Sequence, residues 1–203
     1  MKSVRPSPSF FARSALKVAP ELLGKILVRN AGGRRIAGRI VEVEAYLGED
    51  DPASHGFRGK TERNAVMFGP AGRVYVYFTY GNHFCMNVVT GREGKAGAVL
   101  IRALEPLEGI PFMRRRRKKE RLTDLASGPG KLCQALAVDR KLNGANLAKN
   151  EIWIEWSLKR GRIVKAQSGR VGISTAIDRP YRFFIRDSPF VSKGRVGPAR
   201  KSL

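Results

Sequence analysis

The sequence predicts one α+β domain built on an antiparallel β-sheet. Most of the predicted strands are adjacent along the chain, glycine-containing turns separate them, and only two or three segments have the apolar spacing of a helix. A chain of 203 residues has the length of one domain and can bury a large core without disulfides or metals. No internal repeat or linker divides the sequence. We therefore expect a single domain over residues 1–203.

The N-terminal quarter is predicted to contain a loose arm, a helix and a hairpin. Residues 1–12 are punctuated by Ser and Pro and are predicted to form a loose arm. Apolar residues at helical spacing predict a short helix over 14–23, which the next glycine ends. Strands over 25–30 and 35–45 follow, and the glycines of Ala31-Gly32-Gly33-Arg34 suit the turn between them.

The middle of the chain is predicted to hold a long loop and a second hairpin. Residues 46–72 are rich in Gly, Pro, Asp and Ser, and a loop of this length is usually functional or disordered. Segments 73–80 and 83–90 flank Gly81-Asn82, which is a signal for a two-residue hairpin turn. Because both faces are apolar or aromatic, we expect a buried hairpin with an exposed tip. A third apolar strand is predicted over 96–104.

The remaining part of the chain combines basic and apolar segments. Residues 108–121 include the run Arg114 to Lys119, which is either a solvated helix face or a mobile basic loop. A helix is predicted after Ser127-Gly128-Pro129-Gly130. Short strands are predicted over 152–156, 171–175 and 181–186, and residues 193–203 are predicted to form a basic, flexible tail.

The charge balance indicates an anionic partner. The chain has 39 Lys and Arg against 17 Asp and Glu, a net charge of +22. Such an excess favours binding to a polyanion, because neutralised phosphates release their counterions. A merely basic protein, or a ribosomal component whose charge serves assembly, has the same composition, so charge alone leaves these classes open.

The sequence also indicates a reducing compartment. Cys85 and Cys133 are far apart and lie in apolar runs, which is typical of two buried thiols. No apolar stretch is long enough to span a bilayer, and the N-terminus lacks the pattern of a secretory signal. We expect a cytoplasmic protein with no membrane partner.

Glu44 is the strongest candidate for a catalytic residue. A carboxylate that ends an apolar strand beside Tyr46 lies where its geometry can be controlled, although an isolated Glu is more often a surface residue. Glu42 precedes it by two residues and would share its strand face. Two carboxylates suggest glycosidic chemistry, but such pairs are also ordinary on exposed strands.

One acidic cluster resembles a site for a hard metal ion. It consists of Glu49, Asp50, Asp51 and His55. Consecutive carboxylates point in different directions and no second histidine is near, so a solvated acidic turn is the favoured interpretation. We expect no metal site.

Three further residue types need an explanation. Tyr75 is assigned to the core, whereas Tyr80 at the hairpin tip would be exposed, and exposed aromatic residues on basic proteins stack on bases or wedge between them. Arg102 lies inside an apolar strand and needs a buried carboxylate or a phosphate as its partner. Asn87 has either a structural hydrogen bond or a role in a pocket.

Together these residues resemble the alkyladenine (3-methyladenine) DNA glycosylase family, the mammalian type that is unrelated to the helix-hairpin-helix glycosylases. The resemblance covers nearly the whole chain in order. Its motifs are Val41-Glu42-Val43-Glu44-Ala45-Tyr46-Leu47-Gly48 with the following His55, Tyr75-Val76-Tyr77 through Tyr80-Gly81, Phe84-Cys85-Met86-Asn87, Leu100-Ile101-Arg102-Ala103-Leu104-Glu105-Pro106, Ser127-Gly128-Pro129-Gly130-Lys131-Leu132-Cys133-Gln134-Ala135-Leu136, Arg170-Val171-Gly172 and Arg182-Phe183-Phe184-Ile185-Arg186.

The resemblance implies a curved antiparallel sheet flanked by helices, with a protruding hairpin that enters the minor groove of double-stranded DNA. It implies that Glu44 activates the hydrolytic water, and that Arg102 and the main-chain carbonyl of Val171 help to hold this water.

The resemblance also implies how an extruded base is held. Tyr46 would stack on one face of the base, with His55 and Tyr77 on the other. Asn87 would crowd the exocyclic amine of guanine. Tyr80 would fill the gap that the flipped nucleotide leaves in the duplex.

The implied activity is that of a monofunctional base-excision-repair enzyme, which acts as a monomer without a cofactor, a metal or a Schiff-base lysine. It would flip a damaged purine, hydrolyse the N-glycosidic bond and leave an abasic site. The substrates implied are 3-methyladenine and 7-methylguanine, with hypoxanthine and ethenoadenine as further candidates. Cationic purines are the safer prediction, because they leave readily and need only one carboxylate. In a bacterium the protein would associate with the nucleoid.

Other functions are weighed against this one. A nucleic-acid-binding protein without catalysis would explain the charge, but a carboxylate such as Glu44 in a phosphate-binding cleft would repel the ligand. A metal-dependent hydrolase would need the cluster around His55. A glycosylase-lyase would need an amine nucleophile, and the pocket motifs contain no lysine for this. The tip residues Asn82-His83 and the strongly basic run 114–119 depart from the family pattern, and the run would add nonspecific affinity and salt sensitivity.

Overall fold

The computed structural model describes residues 4–79, 81–149, 151–156 and 163–194. These ranges contain eight strands, five α-helices and three 3-10 helices. The strands are β1 (Ile26–Ala31), β2 (Arg34–Tyr46), β3 (Val74–Thr79), β4 (His83–Val89), β5 (Ala98–Glu108), β6 (Ile152–Glu155), β7 (Lys165–Ser168) and β8 (Arg182–Ile185). The α-helices are α1 (Pro8–Phe11), α2 (Ala15–Leu22), α3 (Ile110–Arg117), α4 (Leu122–Leu125) and α5 (Pro129–Leu136), and the 3-10 helices are Gly48–Asp50, Ala65–Phe68 and Arg140–Leu142.

All eight strands belong to one curled antiparallel sheet, so the predicted α+β class is confirmed. The order along the sheet is β3-β4-β5-β2-β1-β6, and β7 and β8 branch from β2. The branch arises because β2 pairs with β1 as far as Arg39 and with β8 from Glu42 to Glu44. Two of the three register shifts in the pairing of β2 with β5 fall at the same place, between Ile40 and Val43. An irregular strand bends and twists, which directs the end of β2 away from β1.

The helices cover the sheet and complete the core. Helix α2 packs against β2, α5 packs against β4 and β5, and α3 packs against α5. The buried apolar side chains come from both layers; examples are Val18, Leu22, Ile40, Leu104 and Leu132. None of the described helices has the length and apolarity that crossing a membrane requires.

The outer half of the β3–β4 hairpin projects beyond the sheet. Strand β4 pairs with β5 only from Asn87 to Val89, so its first residues have β3 as their strand partner. Phe78 and Phe84 pack together on this part, with ring centroids 4.9 Å apart. Thr79 pairs with His83, so the turn has three residues rather than the predicted two. Tyr80, the first of these three, lies outside the described residues.

Several segments differ from the sequence-based expectations. Within the predicted loose arm, Pro8–Phe11 is helical, and both Phe10 and Phe11 are buried, because two adjacent aromatic rings have more to gain from the core than from solvent. The predicted strand over 171–175 is not a strand, since Gly172 adopts a φ of +76°. A strand that the sequence did not predict, β7, pairs with β8 instead. The basic run is a helix as far as Arg117. The predicted tail lies outside the described residues from position 195 onward.

Candidate active site

Glu44 lies near the end of β2, as predicted, and it is completely buried. Three donors from different parts of the chain contact its carboxylate. The hydroxyl of Tyr46 donates to Oε2 over 2.9 Å, and the main-chain N–H of Val171 donates to Oε1 over 2.7 Å. The guanidinium of Arg102 approaches within 3.3 Å. These contacts fix the carboxylate and stabilise its negative charge, so the surface position that is common for Glu does not apply here.

Glu42 is also completely buried, but its environment differs. It accepts hydrogen bonds from Nε of Arg102 over 3.0 Å, from Nε of Arg182 over 2.7 Å, and from both the N–H and the hydroxyl of Ser192 over 2.7 and 2.8 Å. Four donors occupy the two carboxylate oxygens. Glu42 is therefore a structural anchor, and the geometry does not support a second carboxylate acting on water.

Arg102 joins the two carboxylates into one network. Its Nε faces Glu42, whereas Nη1 faces Glu44. Of the two kinds of partner that the sequence left open, the structure shows buried carboxylates. Two glutamates and the guanidinium groups of Arg102 and Arg182 balance in charge, which allows all four to be buried.

An aromatic cavity of about 400 Å³ opens beside Glu44. This volume lies within the range of about 300–1,000 Å³ that is common for small-molecule sites. Glu44 lies behind the wall of the cavity, in contact with three residues that line it. Of the predicted site residues, those that line the cavity are Tyr46, His55, Tyr77, Asn87, Arg102 and Val171.

His55 enters the cavity wall from the long loop after β2. Its Nδ1 lies 3.0 Å from the hydroxyl of Tyr75, and its ring centroid lies 4.5 Å from that of Tyr77 at 71°. Burial lowers the pKa of His55, and the charge of Arg63 lowers it further. Burial also raises the pKa of Tyr75 to about 12. Both shifts favour the uncharged forms of these two side chains.

Tyr75 and Asn87 each make a structural contact and also line the cavity. Tyr75 is 1% exposed, as predicted for a core residue, yet its hydroxyl orients His55. The side-chain amide of Asn87 donates to the main-chain oxygen of Tyr75 over 3.1 Å, and the same side chain lines the cavity. Asn87 therefore has the structural hydrogen bond, and its place in the cavity wall leaves a role in the pocket as a prediction. The positioning contact of Tyr75 was missed because it joins residues on different elements.

Asp51 and Arg170 form a buried ion pair, and Arg170 packs against the ring of Tyr46. Arg170 donates to both oxygens of Asp51, over 2.5 and 2.7 Å, and to the main-chain oxygen of Ala45 over 3.0 Å. Its guanidinium carbon lies 4.6 Å from the ring centroid of Tyr46. Although burial acts to raise the pKa of Asp51, the hydrogen bond and charge of Arg170 lower it overall. The solvated acidic turn is therefore a wrong prediction for Asp51, which is fully buried.

A signal for this pair was present in the sequence. Arg170 is the single charged residue between Ala166 and Ile177, and an isolated arginine in such a segment requires an acceptor. Glu49 and Asp50, by contrast, are exposed. Across the residues that the structure describes, no group of three or more His, Cys, Asp or Glu side chains is arranged to hold a metal ion.

Comparisons with known proteins identify the family of this chain. The family model described as methylpurine-DNA glycosylase (MPG) matches residues 9–189. A protein of Carboxydothermus hydrogenoformans is 49% identical over 188 residues, which cover 91% of this chain and 96% of the relative. A protein of Chlorobium luteolum is 50% identical over 192 residues, covering 94% and 98%. A protein of Methanoculleus marisnigri is 49% identical over 190 residues, covering 91% and 97%.

All three relatives have names that give 3-methyladenine DNA glycosylase as an inferred activity. The family match extends from α1 to the end of β8 and so includes every described residue of the site except Ser192. The chain belongs to the methylpurine-DNA glycosylase family and is a DNA glycosylase.

Proposed function

We propose that the protein excises alkylated purines from double-stranded DNA by hydrolysis, with Glu44 activating the water. The observation that carries this proposal is the buried carboxylate of Glu44, held by Tyr46, Arg102 and Val171 at the wall of an aromatic cavity. Glu42 shows that a buried carboxylate can be structural in this protein of net charge +22, but DNA binding alone gives no reason for a carboxylate beside the cavity. A reaction that develops positive charge on a sugar does need one.

In this mechanism Glu44 accepts a proton from water while the water oxygen bonds to C1′ and the glycosidic bond breaks. The bonding electrons leave with the base. An alkylated purine is cationic and becomes neutral as it leaves, so no protein donor has to protonate it. The carboxylate also stabilises the oxocarbenium-like sugar. Arg102 and Val171 fix the carboxylate by the contacts described above, and the carbonyl of Val171 is proposed to hold the water.

The target base must leave the stack before it can enter the cavity. Extrusion costs a few kcal/mol, and less for damaged bases. We propose that the base stacks between Tyr46 on one side and His55 with Tyr77 on the other, and that Asn87 discriminates against the exocyclic amine of guanine. A neutral His55 suits a cationic base, because a protonated imidazole would repel it. The projecting hairpin is proposed to enter the minor groove, and the enzyme is proposed to act as a monomer.

The test is release of free base from methylated duplex DNA in the presence of EDTA. We expect 3-methyladenine and 7-methylguanine to appear in solution, with abasic sites left in an unbroken strand. Borohydride should trap no covalent adduct, because the proposed mechanism uses water and no lysine. Loss of release on adding EDTA, or a trapped adduct, would contradict the proposal. Unmethylated duplex of the same sequence is the control.

Replacing Tyr80 with alanine tests the hairpin. If Tyr80 fills the gap left by the flipped nucleotide, the change should reduce the preference for lesion-containing over intact duplex about 10-fold, since one stacking contact contributes about 1–3 kcal/mol. The measurement is the ratio of the two Kd values by fluorescence anisotropy. Tyr80→Phe retains the ring and is the matched control. An unchanged ratio in Tyr80→Ala would remove the wedge role.

A further inference from the structure

A group of arginines lies at the end of the sheet that is remote from the cavity. Strand β2 begins at Arg34, and Glu44 follows ten residues later, which corresponds to a separation of up to about 33 Å. Strand β5 runs antiparallel to β2, so α3 begins beside the start of β2. The approach is close: a Cβ added at Gly109, just before α3, would lie 3.0 Å from the main-chain oxygen of Arg35.

Arginines of helix α3 and of the β1–β2 hairpin lie close together around the ring of Phe112. The guanidinium carbon of Arg34 lies 4.7 Å from the ring centroid of Phe112, and that of Arg115 lies 5.7 Å from the same ring. Both arginines are exposed. Arg116 follows on α3, where it donates to the main-chain oxygen of Ala135 over 3.0 Å. We call Arg34, Arg115 and Arg116 the distal arginine patch.

The charge of this patch is only partly balanced by nearby carboxylates, because Arg29, Arg34, Arg35, Arg115 and Arg116 give five positive charges and Glu108, Glu151 and Glu155 give three negative ones. Glu108 and Glu155 lie close by, but each is 2.9 Å from Arg35. Glu151 pairs with Arg29 at 3.4 Å. Within the described part of the chain, no ion pair joins the three patch arginines to a carboxylate.

Because the three arginines of the patch have no carboxylate partners among the described residues, their positive charges are expected to repel one another. Burial, together with the charges of Arg115, Arg29 and Arg34, lowers the pKa of Arg116. An arrangement of cations that repel one another is stabilised when an anion binds, and a guanidinium group binds phosphate well.

We propose that the distal arginine patch binds DNA phosphates outside the region that surrounds the lesion. The family acts on DNA and the net charge is +22, which favours DNA over an acidic protein as the partner of this patch. The phosphates belong either to the flank of the duplex that occupies the cavity or to a second duplex. The proposal does not depend on the reaction proposed for Glu44, because binding to intact DNA tests it.

The test removes three charges at the patch and three elsewhere. The patch variant is Arg34→Gln/Arg115→Gln/Arg116→Gln. The control variant is Lys17→Gln/Arg140→Gln/Lys141→Gln, which changes the net charge equally at exposed residues outside the patch and the cavity wall. Anisotropy titrations with intact duplexes of about 10 and about 30 base pairs, over a range of salt concentrations, give the affinity and its salt slope.

We expect the patch variant to bind the long duplex at least about 10-fold more weakly than the control variant at low salt. The slope of log K against log salt should decrease by about 0.9 for each lost phosphate contact. If the flank of one duplex is bound, the effect should vanish with the short duplex, which extends only about 17 Å to each side of its centre. If a second duplex is bound, wild type should bring two differently labelled short duplexes together by energy transfer, and the patch variant should not.

Equal behaviour of the patch and control variants in affinity, salt slope and duplex bridging would overturn the proposal. An acidic protein as the true partner would give this same result. Because Arg116 is partly buried, thermal unfolding of each variant must precede the titrations. If the triple variant is unfolded, Arg34→Gln/Arg115→Gln against Lys17→Gln/Lys141→Gln carries the same test, since all four residues are exposed.

Discussion

Glu44→Gln is expected to reduce base release from methylated DNA by about 10³-fold, because a neutral amide can neither accept the proton of the water nor stabilise a cationic sugar. Glutamine has nearly the shape of glutamate, and Arg102 keeps its contact with Glu42. Binding to lesion-containing duplex should therefore be largely retained. Single-turnover release of 3-methyladenine, with enzyme in excess over DNA, measures the effect without product release.

Controls for this experiment separate chemistry from folding. The NH₂ group of the introduced amide replaces one carboxylate oxygen and would face either the N–H of Val171 or the guanidinium of Arg102, so a loss of about 1–3 kcal/mol in stability is expected and should be measured. Glu49→Gln alters an exposed carboxylate on the following loop and should leave release unchanged. Full activity of a folded Glu44→Gln would exclude Glu44 as the base. Loss of duplex binding would make it a structural residue.

Glu42→Ala is expected to have the largest effect on stability. It leaves the buried Nε groups of Arg102 and Arg182 and the N–H of Ser192 without their acceptor. Breaking a buried ion pair from one side costs about 3–5 kcal/mol. For a chain of this size, that should lower Tm by about 10 °C. Differential scanning calorimetry of the purified variant measures the change.

Two other variants test whether burial of the ion pair causes the expected loss of stability in Glu42→Ala. Glu151→Ala removes the 3.4 Å pair with Arg29, in which the glutamate side chain is 59% exposed, and should change stability by about 0.5 kcal/mol at most. Glu42→Gln keeps one oxygen acceptor but removes the charge, so its effect should lie between the two. A Glu42→Ala protein as stable as Glu151→Ala would show that the network around Glu42 contributes little to the folded state.

The same network connects the C-terminal part of the chain to the proposed catalytic carboxylate. Ser192 contacts Glu42 through its N–H and its hydroxyl, and Glu42 in turn holds Arg102, which contacts Glu44. We expect Glu42→Ala to reduce base release beyond the loss of folded protein. The reason is that Arg102 would lose the partner that fixes its position.

Local features of the sequence were sufficient for most of the elements. The glycines between β1 and β2 and the sequence Gly81-Asn82 marked the two hairpins, since turn conformations depend on single residues. Apolar spacing marked α2 and α5. Glu44 could be identified as a strand-end carboxylate because it lies where the apolar pattern of β2 ends and the Gly- and Asp-rich loop begins. Placement of 171–175 in a strand was wrong because Gly172 adopts a φ of +76°, and a glycine permits this conformation without the residue pattern revealing it.

Tertiary structure gave the two carboxylates of β2 different surroundings. In the sequence, Glu42 and Glu44 share one strand face, and only the position of Glu44 at the strand end beside Tyr46 favours it as the catalytic residue. Only the fold surrounds Glu42 with donors from Arg182 and Ser192, 140 and 150 residues away, and opens a cavity beside Glu44. Arg170 reaches Asp51 over 119 residues in the same way. Side-chain partners at such separations are set by how the sheet curls and branches, and a local pattern of residue types contains no information about that path.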